Sequence, residues 1–305
     1  MRSSHVDVAL LLATGTLWGS AFIAIRAGIL AGASPFLYAE VRLVLAAAIM
    51  AAVALANREA RPPTRELVRS ALLGALFLMG GYSLLLYWGE QSTPGSLATI
   101  LVATAPLVSA LFAYPLIPAE RFGALGLSGI LLGFVGVATI FLPRLSGSPE
   151  VDLLGALAVF GAGTLFAFGS VVLRRLGGGR QGYWHMTGQF AASAILVGGA
   201  VAATAGTERF PVTAITVGTV LYLAVGSSVL GYGLYFRLHH RVGPQQANAV
   251  AYVNPVVGVL LGIALLGESI AWFEVAGFAL VVGGLALLHW ERQRRAEKPR
   301  PGLPR

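Results

Sequence analysis

The stretch GTLWGSAFIAIRA, Gly15–Ala27, returns as GTLFAFGSVVLRR, Gly163–Arg175, about 148 residues further on. Tyr87 and Gly95 return as Tyr235 and Gly243, and Glu120, Gly129 and Gly136 return as Glu268, Gly277 and Gly284. Pro106 returns as Pro255 after a one-residue slip. One offset held through five successive apolar segments marks an internal duplication, and a fold read without it would be misread. Five crossings per copy turn the second copy over, which gives an inverted-topology repeat around a midplane site.

Composition puts most of the chain in lipid. Hydrophobic residues make up 56% and charged residues 11%, with mean hydropathy +0.77; soluble domains carry about 25% charged residues. A helical span needs roughly 20 apolar residues. The sequence supplies ten: Asp7–Leu30, Pro35–Ala56, Val68–Trp88, Pro94–Ile117, Gly123–Leu142, Leu153–Leu173, Tyr183–Ala205, Ile215–Arg237, Gly243–Leu266 and Phe273–Trp290. The expected organisation is an all-α polytopic membrane protein. Its first five-helix repeat covers 1–146 and its second covers 152–290, followed by a basic, disordered tail over 291–305. Short alternating strands of a membrane barrel are not seen in the pattern.

Net charge is +8, but its placement points away from nucleic acid. With the N-terminus cytoplasmic, 17 Lys and Arg fall in inner loops and tails, against three on the outer side, Arg26, Arg144 and Arg209. That is a positive-inside signal, and it puts both termini in the cytoplasm. Cysteine is absent, which removes disulfides and thiolate metal sites. Arg2 before the first apolar run, with Ala31-Gly32-Ala33 after it, imitates a signal peptide. The match of that run to the sixth span keeps it as a helix.

Trp18-Gly19-Ser20, Pro35 with Arg42, Pro106, the turn Pro118–Arg121, and their echoes Asn254-Pro255 and Gly267-Glu268 resemble the drug/metabolite transporter superfamily. The likeness is to its ten-span bacterial branch of paired EamA-type domains and runs from about Val8 to His289. The resemblance implies export of small metabolites, often amino acids, across a bacterial inner membrane, coupled to the proton gradient. The four-span multidrug relatives carry an embedded Glu in their first helix; here the first span has no acid beyond Asp7.

Polar groups inside the spans are the candidate pathway. Gln245, Asn248, Tyr252 and Pro255 share one face of span 9, and Ser96, Thr99, Ala103 and Pro106 share the matching face of span 4. Polar stripes in hydrocarbon face protein or a wet cavity; the alternative is interhelical packing. Pro106 and Pro255 are expected helix breaks that free a carbonyl each. Tyr87 with Glu90, and Tyr232 with Tyr235, lie on single faces of spans 3 and 8, and Tyr82 flanks the first pair. Tyr gives a pocket both apolar wall and polar handle; Trp18 extends that wall.

Arg42 and Glu40 lie inside span 2 on different faces. An intramembrane ion is a functional candidate by default, so Arg42 is expected to hold a substrate carboxylate or to pair with Glu90 as a gate. Glu40, Glu90 and His185 are the candidates for proton coupling or gating. Small-residue stripes at Gly129, Gly133 and Gly136, at Gly258 and Gly262, and at Gly277 and Gly284 read as close helix packing or subunit contacts. The expected function is a secondary exporter of amino acids, aromatic or amphipathic, by alternating access through a central cavity. A broad exporter of lipophilic drugs is the nearest rival; a membrane-embedded enzyme or a scaffold stands further off. The expected partners are a small-molecule substrate and the bilayer, with no nucleic acid, cofactor or metal, as a monomer or homodimer.

Overall fold

The computed structural model describes residues 5–57, 64–145, 152–176, 182–204, 206–247 and 249–297. Among them every regular element is helical. Nine stretches are long and apolar enough to cross a membrane, and a tenth, Val250–Leu266, is shorter. The first copy comprises α1 (His5–Leu30), α2 (Pro35–Ala56), α3 (Arg65–Gly74), α4 (Gly81–Gly89), α5 (Gly95–Val102), α6 (Ala105–Leu116) and α7 (Ala124–Leu145). The second comprises α8 (Leu153–Arg175), α9 (Tyr183–Ala203), α10 (Ala214–Leu221), α11 (Gly231–Ala247), α12 (Val250–Leu266) and α13 (Trp272–Glu297).

Two wide π turns bridge α3 to α4 (Ala75–Gly80) and α10 to α11 (Tyr222–Leu230). They occupy equivalent positions in the two copies. Such turns are rare inside helices and concentrate at functional sites. Span 4 breaks at Ala103-Thr104, between α5 and α6, just ahead of Pro106. Pro255 instead lies inside α12. Span 9 also begins later than Gly243, because α11 runs on to Ala247. Gly267 closes α12 with φ +63°, a left-handed position that glycine occupies at no steric cost.

The main core packs α1, α2, α4, α5, α8, α9 and the segment from α10 to α11 around Ile25, Tyr38, Leu43, Tyr87 and Phe190. The pair α7 and α13 stands beside it with its own small core of Ile130, Val281, Leu285 and Leu288 against α6. The reason is in the glycines. A Cβ on Gly136 would lie 2.5 Å from the Gly277 carbonyl oxygen, and one on Gly129 would lie 2.6 Å from that of Gly284. The stripes read as possible subunit contacts therefore face each other within one chain. Outward side chains such as Leu131, Ile195 and Leu265 are more than half exposed. That apolar jacket is suited to acyl chains.

Candidate functional site

Among the described residues the one buried Arg or Lys is Arg42, on α2. Its burial follows from sequence: Tyr38 and Arg42 are four residues apart and share one helix face, which packs on α9 and on the second π turn. Arg42 as a whole is 9% exposed. Nη1 donates to the Tyr87 hydroxyl at 3.1 Å, Nη2 to Ser227 Oγ at 3.3 Å, and Nε to Ser228 Oγ at 3.3 Å. All three acceptors are neutral and all are buried. Guanidinium carries five N–H donors, so capacity remains. No carboxylate among the described residues stands within ion-pair distance of it.

Both serines lie on the second π turn. Ser228 Oγ donates to the Leu223 carbonyl five residues back, a contact suited to the wider turn. The Trp18 indole donates to the Ser227 carbonyl at 3.0 Å. From Trp18 a run of aromatic rings descends toward the end bearing the arginine-rich connections, here the basic end. Trp18 meets Tyr232 at 5.2 Å and Tyr235 at 5.1 Å, and Tyr235 meets His239 at 6.1 Å. Phe190 closes on Tyr232 at 5.9 Å. These spacings suit offset and edge-to-face ring pairs. Trp18, Tyr232 and Tyr235 are only half-buried.

Toward the opposite end the packing is tight. Tyr38, Tyr87, Glu90 and Thr93 are fully buried, and the Tyr38 hydroxyl bonds Thr219 Oγ1 at 2.6 Å. Arg26 on α1 donates to the carbonyls of Glu90 and Gln91 at 2.5 and 2.8 Å. Glu268 accepts from the amides of Gly95 and Ser96, at 2.8 Å each. Anion at a helix start and cation at a helix end are the favoured placements. These contacts fasten the α4–α5 turn at the end opposite the basic one.

Five candidates from the sequence come together around this cluster: Arg42, Tyr87, Trp18, Tyr232 and Tyr235. Tyr82 faces Phe166 of α8 at 5.9 Å. The others lie elsewhere. Ser96 and Thr99 are buried where α5 crosses α12, and Gly262 and Gly258 leave just the room those two side chains fill. Ser96 and Thr99 are packed against α12 here, while Ala103 of the same face borders a crevice with Tyr252 and Pro255. Tyr252 is 41% exposed and lies in a shallow crevice with Phe278, Val281 and Leu285 of α13. Asn248 lies outside the described residues, as does the side chain of Gln245. Glu40 faces Gly198 of α9, and His185 is buried beside Ser70 of α3. The Arg42–Glu90 ion pair, one of the two roles expected for Arg42, is not formed among the described residues; Nη1 donates to the Tyr87 hydroxyl instead. Sequence reading missed Tyr38 and Ser227. The four-residue step from Tyr38 to Arg42, and the paired serines in an apolar span, were the available signals.

Comparison with known proteins agrees with this architecture. The model of the EamA-like transporter family matches residues 7–142 and again 152–290, and the chain belongs to that family. An uncharacterized inner membrane transporter of Escherichia coli K12, YedA, is 32% identical over 91% of this chain and 89% of its own length. A probable terminal-alkyne amino-acid exporter of Streptantibioticus cattleyicolor is 30% identical over 99% of each chain. A probable amino-acid metabolite efflux pump of Salmonella typhimurium is 27% identical over 92% of this chain and 94% of its own. One solved crystal structure shares the fold with TM-score 0.64 at 22% identity, over 97% of this chain and all of the other. The protein is a multi-pass membrane transporter of the inner-membrane type.

Proposed function

We propose that this transporter exports amino acids, with the substrate carboxylate held by Arg42 and its side chain against Trp18, Tyr232 and Tyr235. The observation that carries this reading is a buried guanidinium tethered only by neutral hydroxyls. Charge-assisted bonds run at about 2.7–2.9 Å, so contacts of 3.1–3.3 Å leave the cation under-satisfied. A carboxylate arriving in the bidentate geometry fits the fork and the charge. Two relatives named for amino-acid export lend support.

Direction follows from the charge pattern. The arginine-rich end faces the cytoplasm by the positive-inside rule, with both termini on that side. The half-buried aromatic run leads from that end to Arg42, while the other end is fastened at the α4–α5 turn. This conformation loads from the cytoplasm. Export then needs the two repeats to rock, opening the fastened end and closing the aromatic one. The substrate crosses chemically unchanged. Uptake of a metabolite mixture into everted vesicles, read by mass spectrometry, tests the reading: amino acids should accumulate. Accumulation of lipophilic cations without amino acids would favour a drug exporter and reject it.

A further inference from the structure

We propose that Glu90 is a proton-binding site, and that loss of its proton unclasps the fastened end; this rests on the alternating-access reading above. Glu90 caps α4 and has no exposed surface, and among the described residues neither carboxyl oxygen has a hydrogen-bond partner. An ionised carboxylate in such a place costs several kcal/mol. The group is therefore a neutral acid in this conformation.

Its charged and titratable surroundings are Arg26 from α1, Tyr38 and Arg42 from α2, Tyr82 and Tyr87 from its own helix, and Glu268 from the turn after α12. The described part of α5 brings none, and Asp152 at the start of α8 is bound to Ser92. Two of these groups form the clasp. Arg26 grips the carbonyls that end α4, and Glu268 grips the amides that start α5. When the O–H bond breaks and the proton passes to water, a new anion stands near both. A carboxylate is a stronger acceptor for guanidinium than neutral carbonyls, so Arg26 turns to it. Glu268 meets a like charge and is pushed off the amides.

The other copy supplies the contrast. Arg174 and Glu120, at the positions equivalent to Arg26 and Glu268, pair directly at the basic end at 3.0 Å. The position equivalent to Glu90 is Leu238, buried and apolar. The duplicated clasp thus carries a buried carboxyl at the Glu90 position and a buried leucine at its counterpart, so the two ends respond differently to a proton there.

The chain has no cysteine, so Thr93→Cys places one thiol in the clasped turn. Its labelling by an impermeant maleimide is followed in right-side-out vesicles without substrate. Each rate is divided by that of the same protein unfolded in detergent at the same pH, which removes the ionisation of the thiol itself. The ratio should rise roughly tenfold from about pH 5 to about pH 9. It should stay low and flat in Glu90→Gln, and stay high and flat in Arg26→Gln. Glu90→Leu, the residue found in the other copy, provides the same neutral state should the glutamine variant fail to reach the membrane. A flat wild-type ratio, or a pH response that survives both Glu90 variants, overturns the proposal. Because no substrate is present, a pH-dependent ratio with no amino-acid transport would sink the substrate reading and leave Glu90 standing.

Discussion

Arg42→Ala should weaken substrate binding far more than it weakens the fold. Removing one member of a buried charge pair costs about 2–5 kcal/mol in affinity. At about 1.4 kcal/mol per decade this is about 30-fold to about 4,000-fold in the half-saturating concentration. The fold has less at stake. The guanidinium makes three long bonds to neutral hydroxyls, and its removal also relieves the cost of holding a cation in a dry interior. Ser228 keeps its bond to Leu223. Membrane abundance and the melting temperature in detergent should therefore change little. Arg42→Lys keeps the charge but loses the planar fork. It should fall between, roughly tenfold weaker than wild type. The assay is counterflow of a labelled aromatic amino acid in proteoliposomes, with purified protein matched by amount. A half-saturating concentration within about twofold of wild type in Arg42→Ala, at normal maximal rate, would refute a carboxylate site at Arg42.

Two further predictions concern the helix crossings. Gly258→Ala should destabilise by roughly 1–3 kcal/mol through overpacking, because its Cβ would run into Thr99; Thr99→Ala in the same chain should restore most of the loss, measured by melting in detergent. Gly136→Leu should part α7 from α13, since even a Cβ there would stand 2.5 Å from the Gly277 carbonyl oxygen. Membrane abundance should drop, and an unchanged level would show that this pair contributes little to the fold.

The features legible in sequence were those with a periodic or repeated signature. The duplication, the ten apolar segments and the glycine stripes on α7 and α13 each leave such a trace, and Arg42 stands out as an ion within a span. Tertiary choices left a weaker one. The stripe of Ser96 and Thr99 reads equally as a cavity wall or as packing; the small residues Gly258 and Gly262 on the opposing helix decide it. The π turns depend on five-residue hydrogen bonds that no local propensity announces. The second carries both Ser227 and Ser228, each of which meets Arg42. Glu268 shows as a repeat marker in sequence, but its grip on Gly95 and Ser96 arises only when the copies are assembled.

The most direct measurement of the central claim is a matched pair of substrates in proteoliposomes: an aromatic amino acid and its amide, identical except for the anionic group that Arg42 is proposed to hold. Counterflow should favour the acid by at least about 30-fold, the low end for loss of a buried charge pair. Equal transport of the two, or movement of the amide alone, would mean that the buried guanidinium does not read the substrate.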